Sequence, residues 1–261
     1  MVYVNPRLDS KSVVSLYDED YFGGKGFDKS IDYGKEFENN AGSINLVDWD
    51  LSTVEEIAAK ERDEKRKFKF LDAGAGMGLA LFKADKKGFD AAGLEVSKYA
   101  CLFVESKNLR VINSTLEEVD FGKEKFDIVF MREVIEHLES PKAALKKIFG
   151  LMNEGGVLFI TTGNYNCPER KIKGKDWQYF MPEGHLNIFS PQTMKKFLEE
   201  TGFRKILVTN QGDLLMNFLL RMKIIEPDKF KPVNIFRRIV FELVRFINHF
   251  ISSGLRVYAV K

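Results

Sequence analysis

Between residues 68 and 205 the chain alternates short apolar runs with longer stretches in which apolar residues recur at helical spacing. The apolar runs predict strands at 68–73, 90–95, 109–113, 126–131 and 156–162, and the stretches between them predict helices at 78–87, 97–107, 133–138 and 141–152. Ser190-Pro191 and Gly202 mark the start and the end of a further helix. This alternation predicts a doubly wound α/β fold with a mostly parallel sheet between two layers of helices.

Two more strands complete a predicted seven-stranded sheet. They are expected at 204–209 and 255–260, and the last of them is expected to be antiparallel. Its alternation of polar and apolar residues predicts a strand with one exposed face.

A helical insertion is predicted between these two strands, at residues 211–253. Its second half has a wide apolar face and a polar stripe made of Arg237, Arg238, Glu242, Arg245 and His249. Three interpretations stay open: a helix packed on the domain or on the second subunit of a homodimer, a lid over an apolar substrate, or an anchor on a membrane surface.

Residues 1–50 show no sustained period and predict an irregular N-terminal arm with a short helix. Ser52 and Glu55 have the spacing of a capping box, which predicts that the first long helix starts at Ser52. We therefore expect one elaborated domain at 51–261, preceded by the arm.

Composition narrows the range of partners and compartments. Lys and Arg total 40 against 38 for Asp and Glu, so the net charge of +2 gives no reason to expect a nucleic-acid partner. Cys101 and Cys167 are too few for a disulfide framework and lack zinc-site spacing, so no metal site is predicted. The first ten residues lack the apolar run of a signal peptide, and no apolar stretch approaches the roughly 20 residues of a membrane span. These features predict a cytoplasmic protein.

A glycine-rich turn follows the first predicted strand of the sheet. Residues 70–78 read Phe-Leu-Asp-Ala-Gly-Ala-Gly-Met-Gly, so Gly74, Gly76 and Gly78 alternate with other residues and Asp72 precedes them. Glycines at a strand-to-helix turn let the backbone approach a ligand closely. A dinucleotide fingerprint would need a sixth-position glycine, where this chain has Leu79. The Asp72 carboxylate would also repel a pyrophosphate.

An acid at the end of the next strand adds to this pattern. Glu95 can accept hydrogen bonds from both hydroxyls of a ribose, as acids do at this position in other nucleotide-binding sheets. Asp72, the alternating glycines and Glu95 together favour a nucleoside ligand that carries positive charge rather than a phosphate.

With these motifs, the chain from about residue 68 to 205 closely resembles the class I S-adenosylmethionine-dependent methyltransferases. The resemblance implies that Asp72 and the three glycines hold the methionine part of S-adenosylmethionine, that Glu95 holds the ribose, and that Val96, Thr115 and Leu116 contact adenine. Ser114 stands where many members have Asp. The residues after the fourth strand of this region are implied to line the cofactor (Met131, Arg132) and the substrate (Glu133, His137).

The stretch 177–189 resembles a branch of quinone-pathway, sugar and natural-product methyltransferases. In that branch the acidic aromatic segment 17–22, which contains Tyr21, would fold over the cofactor as a lid. His185 is the candidate general base, since it follows Gly184 in a loop-like stretch. Trp177 and Tyr179 are candidates for an acceptor pocket, although they fit a plain core equally well.

The function predicted is therefore transfer of a methyl group from S-adenosylmethionine, which becomes S-adenosylhomocysteine, to a small-molecule acceptor at oxygen or carbon. Two alternatives remain: a non-catalytic module that binds the cofactor or a partner, and a methyltransferase that acts on a membrane-associated lipid. The sequence does not identify the acceptor.

Overall fold

A computed structural model of the protein describes residues 1–6, 8–26, 29, 31–43, 45–62, 66–211 and 253–261. Its strands are β1 (Val2–Tyr3), β2 (Lys69–Ala73), β3 (Asp90–Glu95), β4 (Val111–Asn113), β5 (Phe126–Arg132), β6 (Met152–Gly163), β7 (Asn187–Ile188), β8 (Arg204–Gln211) and β9 (Gly254–Val260). Its α-helices are α1 (Ser10–Val14), α2 (Glu19–Phe22), α3 (Tyr33–Asn40), α4 (Leu46–Lys60), α5 (Leu79–Lys86), α6 (Lys98–Ser106), α7 (Pro141–Leu151), α8 (Pro168–Lys173) and α9 (Pro191–Thr201). Short 3-10 helices lie at Ile135–His137 and Gly174–Asp176.

Seven strands form one sheet in the order β4-β3-β2-β5-β6-β9-β8. The pairs from β4 to β6 are parallel, and β9 runs antiparallel to both β6 and β8. Two buried clusters, one on each face, pack helices against the sheet. The predicted doubly wound fold with an antiparallel last strand is confirmed.

The prediction that this last strand has an exposed face is wrong, because all seven residues of β9 are buried. β9 lies between β6 and β8 inside the sheet, and its polar residues meet partners on α4. Arg256 Nε lies 3.0 Å from Asp50 Oδ1, and the Tyr258 hydroxyl donates to the same oxygen across 3.4 Å. The alternation of β9 therefore reflects a buried ion pair rather than contact with water.

The predicted start of the first long helix at Ser52 is also wrong. Helix α4 begins at Leu46, because Asn45 caps it: its side chain accepts from the backbone N–H of Val47, and Asp48 accepts from the backbone N–H of Asn45. A capping box seven residues earlier thus outcompetes the Ser52 signal.

The N-terminal arm is more regular than predicted. It contains α1, α2 and α3, and Asp18 and Asp32 cap the second and third of these helices. Tyr21, Phe22 and Phe37 form an aromatic cluster with Met77 of the glycine turn, which packs the arm against the domain. Strand β1 pairs antiparallel with β7, so the start of the arm contacts a segment about 185 residues later in the chain.

The predicted insertion at 211–253, including His249 and its neighbours on the polar stripe, lies outside the described residues except at its two ends. Among the helices in the described ranges, none combines the length and the apolar character needed to cross a bilayer.

Candidate functional site

A cavity of about 300 Å³ lies at the carboxyl ends of β2, β3, β4 and β5, which is the edge where parallel α/β sheets bind ligands. The N-terminal arm covers it through α1, α2 and α3. Six acidic residues line it, against Arg132 as the single Lys or Arg among the described lining residues. The acidic residues are Glu36, Asp72, Glu95, Glu117, Glu133 and Glu139. The cavity therefore favours a cationic ligand.

The floor of the cavity is the glycine turn between β2 and α5. Gly74, Gly76 and Gly78 have φ angles of 92°, 53° and 79°, in the left-handed region that side chains disfavour. A Cβ on Gly74 would lie 2.3 Å from Val134 Cγ2, and one on Gly78 would lie 2.8 Å from Val104 Cγ2. Gly74 and Gly76 line the cavity, whereas Gly78 lets the turn pack on α6 and does not line it.

Two buried carboxyl groups flank this turn. Glu95 accepts hydrogen bonds from the backbone N–H groups of Gly76 and Ser97, each across 2.8 Å. Burial raises the pKa of Glu95, and these two hydrogen bonds oppose that rise. Burial raises the pKa of Asp72 to about 7; the Arg132 guanidinium opposes this shift and the Glu95 carboxylate adds to it. A cationic ligand beside Asp72 would favour its ionised form.

The wall next to Glu95 comes from the ends of β3 and β4. Asn113 donates through Nδ2 to the carbonyl oxygens of Glu95 and Val96, across 3.0 and 2.8 Å, and thereby joins the two strand ends. Val96, Thr115 and Leu116 line the cavity here, with Ser114 beside them. A flat apolar group can lie against this wall, and nearby backbone N–H and C=O groups can form hydrogen bonds with polar atoms at its edge.

The opposite wall is the segment that follows β5. Glu133 has a φ of 52°, a strained conformation for a residue with a side chain, and its backbone N–H donates to the carbonyl oxygen of Thr161 across 3.0 Å. The Tyr179 hydroxyl donates to Glu133 Oε2 across 2.9 Å. Tyr179 is held in place because its ring packs on Gly163, where a Cβ would lie 2.4 Å from Tyr179 Cδ1.

A group of buried polar side chains adjoins this wall. Glu136 Oε2 accepts from the Thr162 hydroxyl across 2.9 Å, and burial together with the nearby Glu133 charge raises the pKa of Glu136. His137 Nδ1 lies 2.9 Å from the Gly184 carbonyl oxygen. Burial lowers the pKa of His137 to about 3, and His185 lowers it further. The imidazole of His137 is therefore neutral, which suits a metal ligand or a hydrogen-bond acceptor, whereas so low a pKa makes it a weak base.

His185 itself is buried behind His137. Its Nδ1 lies 3.0 Å from the Tyr179 carbonyl oxygen, and its ring centroid lies 4.9 Å from that of His137 and 5.3 Å from that of Tyr179. His137 lines the cavity and His185 does not.

The cavity brings together most of the residues predicted from the sequence. Those that line it are Tyr21, Asp72, Gly74, Gly76, Glu95, Val96, Thr115, Leu116, Arg132, Glu133 and His137; those that do not are Gly78, Met131, Trp177, Tyr179 and His185. Met131 is fully buried in the core beneath the sheet. Trp177 is 1% exposed and packs with Cys167 and Ile188.

Sequence reasoning missed part of the cavity wall. Tyr17, Phe22, Tyr33 and Phe37 of the arm line it, and the hydroxyls of Tyr21 and Tyr33 are hydrogen-bonded across 3.0 Å. The acidic aromatic segment 17–22 gave a signal for Tyr17 and Phe22, whereas nothing in the pattern marked Tyr33 or Phe37. Glu136, which lies next to the lining residue His137 but does not line the cavity itself, was also missed, because an acid on an amphipathic stretch is typical of a solvated position.

Comparison with known proteins adds independent findings. Residues 50–208 match a family model described as a methyltransferase domain. Ubiquinone biosynthesis O-methyltransferases of Rhodopseudomonas palustris strains BisB5 and TIE-1 are each 28% identical, over 61% and 74% of this chain and 66% and 73% of theirs. The first of these matches spans slightly less than two thirds of the relative's length.

Solved structures of similar fold come from more distant proteins. A SAM-dependent methyltransferase from Archaeoglobus fulgidus is 20% identical with a TM-score of 0.57, over 88% of this chain and 99% of that one. A plantazolicin methyltransferase in complex with S-adenosylhomocysteine is 14% identical with a TM-score of 0.61, over 96% of each chain. At these identities the likeness extends to the fold.

Proposed function

The chain belongs to the methyltransferase-domain family and is an S-adenosylmethionine-dependent enzyme. On that basis we propose that it methylates a hydroxyl oxygen of a small-molecule acceptor bound against Glu133 and His137. The observation that carries the proposal is the acidic cavity whose floor is the glycine turn between Asp72 and Glu95.

The residues at this floor fit S-adenosylmethionine. The left-handed glycines let the backbone turn tightly along the cavity floor, and the acids match a ligand that carries an ammonium and a sulfonium charge. Asp72 would hold the methionine ammonium, Glu95 the ribose hydroxyls, and Val96, Thr115 and Leu116 the adenine. When bound, the cofactor supplies a methyl carbon that is electrophilic because it is attached to a positively charged sulfur.

The acceptor end of the cavity supports chemistry on a hydroxyl. The side chains of Glu133 and His137 line the cavity there, and both can accept a hydrogen bond from an acceptor hydroxyl and orient its oxygen. The names of the two Rhodopseudomonas relatives, which are O-methyltransferases, support the same choice over carbon. The role of His185 as general base stays a prediction, since His185 does not line the cavity.

The N-terminal arm fits the role of a cover over the bound ligands. Tyr17, Tyr21, Phe22 and Tyr33 line the cavity on the arm side, and Tyr21 stacks on Tyr33 with ring centroids 5.3 Å apart. An aromatic cover excludes water and thereby strengthens the charge interactions beneath it. The other interpretations made from the sequence, a homodimer or membrane-surface contact through 211–253 and a lipid acceptor, concern residues outside the described part of the chain.

Calorimetric titration with S-adenosylmethionine and S-adenosylhomocysteine, with NAD as the control ligand, tests the cofactor half of the proposal. We expect micromolar binding of the first two that is lost in Glu95→Ala and kept in Glu105→Ala, which changes an exposed glutamate on α6 outside the cavity. Transfer of labelled methyl to a panel of phenols, amines and carbon acids tests the acceptor half. Labelling confined to amines or carbon would overturn the choice of oxygen.

A further inference from the structure

Three side chains with metal-binding atoms meet beside the acceptor end of the cavity. Glu136, His137 and His185 each offer one ligand atom, and these atoms all lie within 4.8 Å of one another. Glu136 and His137 lie on the 3-10 helix after β5, whereas His185 comes from the loop before β7. Side chains from two separate segments therefore converge on one point.

The hydrogen bonds of the two histidines indicate which ring nitrogen carries the proton. His137 Nδ1 lies 2.9 Å from the Gly184 carbonyl and His185 Nδ1 lies 3.0 Å from the Tyr179 carbonyl. A carbonyl oxygen only accepts hydrogen bonds, so each Nδ1 carries the proton and each Nε2 carries the lone pair. A ring N–H held by a backbone carbonyl is the usual arrangement for a metal-bound histidine.

The carboxylates give a second, independent observation. Glu136 is 1% exposed, and while its Oε2 accepts from Thr162, its Oε1 meets no N–H or hydroxyl donor among the described residues. Glu133 Oε1 is a buried atom that meets no such donor in the described part of the chain either. An unsatisfied buried carboxylate oxygen destabilises the fold unless a bound cation or a proton compensates for it.

We propose that Glu136, His137 and His185 bind a divalent transition-metal cation, of the kind represented by Zn²⁺ or Mn²⁺, at the acceptor end of the cavity. Two imidazoles and one carboxylate are a common ligand set for such cations and leave coordination positions open. The ligand atoms of the three side chains already lie within 4.8 Å of one another, so only small side-chain movements are needed to bind a cation. Mg²⁺ prefers ligand sets made of oxygen and is expected to bind more weakly.

The position of the cation beside the cavity suggests that it activates the acceptor hydroxyl. This role rests on the proposed function. Because His137 lines the cavity, an acceptor hydroxyl can occupy an open coordination position. Coordination lowers the pKa of the hydroxyl, so that its O–H bond breaks, the proton passes to water and the electron pair stays on oxygen. The cation would then replace the imidazole of His185 as the group that activates the acceptor.

The test uses the whole chain without a polyhistidine tag, freed of metal with a chelator and titrated calorimetrically with ZnCl₂, MnCl₂ and MgCl₂. The variants are Glu136→Gln, which keeps the acceptor for Thr162, and His185→Ala. The matched control is His249→Ala, which changes the third histidine of the chain. Co²⁺ absorption in the visible range gives a second readout of the ligands, and thermal unfolding of each variant checks that it folds.

We expect one Zn²⁺ or Mn²⁺ per chain with micromolar or tighter affinity, at least 30-fold weaker in Glu136→Gln and His185→Ala and unchanged in His249→Ala. Absence of saturable binding to the wild-type chain, or binding that both site variants retain, would overturn the inference and leave a proton shared between Glu133 and Glu136. Titration of the same preparations with S-adenosylmethionine separates the two proposals. If the wild-type chain binds the cofactor but no metal, only the proposed metal site is refuted. If the wild-type chain does not bind the cofactor, the proposed function is refuted.

Discussion

The hydroxyl of Tyr179 donates a hydrogen bond to Oε2 of Glu133 across 2.9 Å and so joins the loop before β7 to the strained segment after β5. We expect Tyr179→Phe to lower the free energy of unfolding by about 1–3 kcal/mol, because the half-buried Glu133 carboxyl group loses this donor. The apparent affinity for the acceptor should fall while that for S-adenosylmethionine stays near wild type.

Urea unfolding and a comparison of KM values for acceptor and cofactor measure this effect. Tyr3→Phe is the matched control, since it makes the same chemical change at a tyrosine that is 63% exposed. Equal effects of the two substitutions would show that the contact does not hold the acceptor wall.

The pKa of Asp72 predicts how cofactor affinity depends on pH. Burial raises that pKa to about 7, and a bound ammonium group stabilises the ionised form, so binding releases a proton below pH 7. The association constant should fall by up to about tenfold for each pH unit below 7. Asp72→Asn should bind more weakly and lose this part of the pH dependence.

Calorimetry between pH 5.5 and 8.5 measures the difference between the two proteins. The ligand's own amino group titrates equally with both, so it cancels in the comparison. Parallel pH profiles would contradict a role for Asp72 at the cationic end of the ligand.

Asp72 also gives the cofactor-free protein a stability signature of defined sign. Its folded pKa lies above the ordinary value of 3.8, so the unfolded chain loses the proton first as pH rises. The free energy of unfolding should therefore fall between about pH 4 and pH 7 and then level off. Asp72→Asn should remove this decline.

Alanine substitutions at Gly74 and Gly88 distinguish the cost of backbone strain from the cost of steric overlap. Gly74→Ala places a Cβ 2.3 Å from Val134 Cγ2 at a φ of 92°, whereas Gly88 has a similar φ of 90° with open space around it. Strain alone costs about 1–2 kcal/mol, so Gly88→Ala should lower stability by that amount and leave cofactor binding intact. Gly74→Ala should cost more and abolish binding.

The double variant Gly74→Ala with Val134→Ala tests the cause of that larger loss. Removal of the Val134 side chain should recover the part of the stability that overlap costs. No recovery, measured by thermal unfolding, would mean that the turn rejects Ala for its conformation alone.

The ion pair of Asp50 with Arg256 is nearly inaccessible to water, with side chains 2% and 6% exposed. Asp50→Ala should cost about 3–5 kcal/mol, because it leaves a buried guanidinium without its carboxylate. Glu199→Ala is the surface control, since its pair with Lys195 at 3.8 Å is more than half exposed and contributes about 0–1 kcal/mol. Chemical denaturation measures both, and similar values would argue against the buried pair.

His185→Ala should lower turnover by about 10²–10⁴-fold while cofactor affinity stays near wild type. That result is expected whether His185 acts as a base or as a metal ligand, and metal binding distinguishes the two roles. Retained turnover with several acceptors would remove His185 from the reaction.

How much of the molecule the sequence predicts depends on the kind of signal. The sheet and its helices were predictable because their apolar periods reflect burial on both faces of β2, β3 and β5. The glycine turn and Glu95 were predictable because few roles require such residues at adjacent strand ends. The left-handed φ angles of Gly74 and Gly76 give that pattern its physical basis.

The remaining features depend on tertiary packing that no local pattern carries. Arg256 and Tyr258 produce the alternation of an exposed strand, yet they face Asp50 inside the protein. Trp177 has the character of a ligand-stacking residue and of a core residue alike, and only its neighbours decide between them. Tyr33 reaches the cavity because the arm folds back over it, and the pattern of apolar residues in the arm does not predict this.

The position of β9 inside the sheet also sets the order in which the protein can be completed during synthesis. Strand β8 pairs within the sheet through β9, and β6 meets β9 on its other edge. Until residues 254–260 leave the ribosome, β6 therefore presents an unpaired edge and β8 lacks the strand with which it pairs. Such edges recruit other chains, so a nascent or truncated chain that lacks β9 is the form of this protein most exposed to aggregation and most in need of a chaperone.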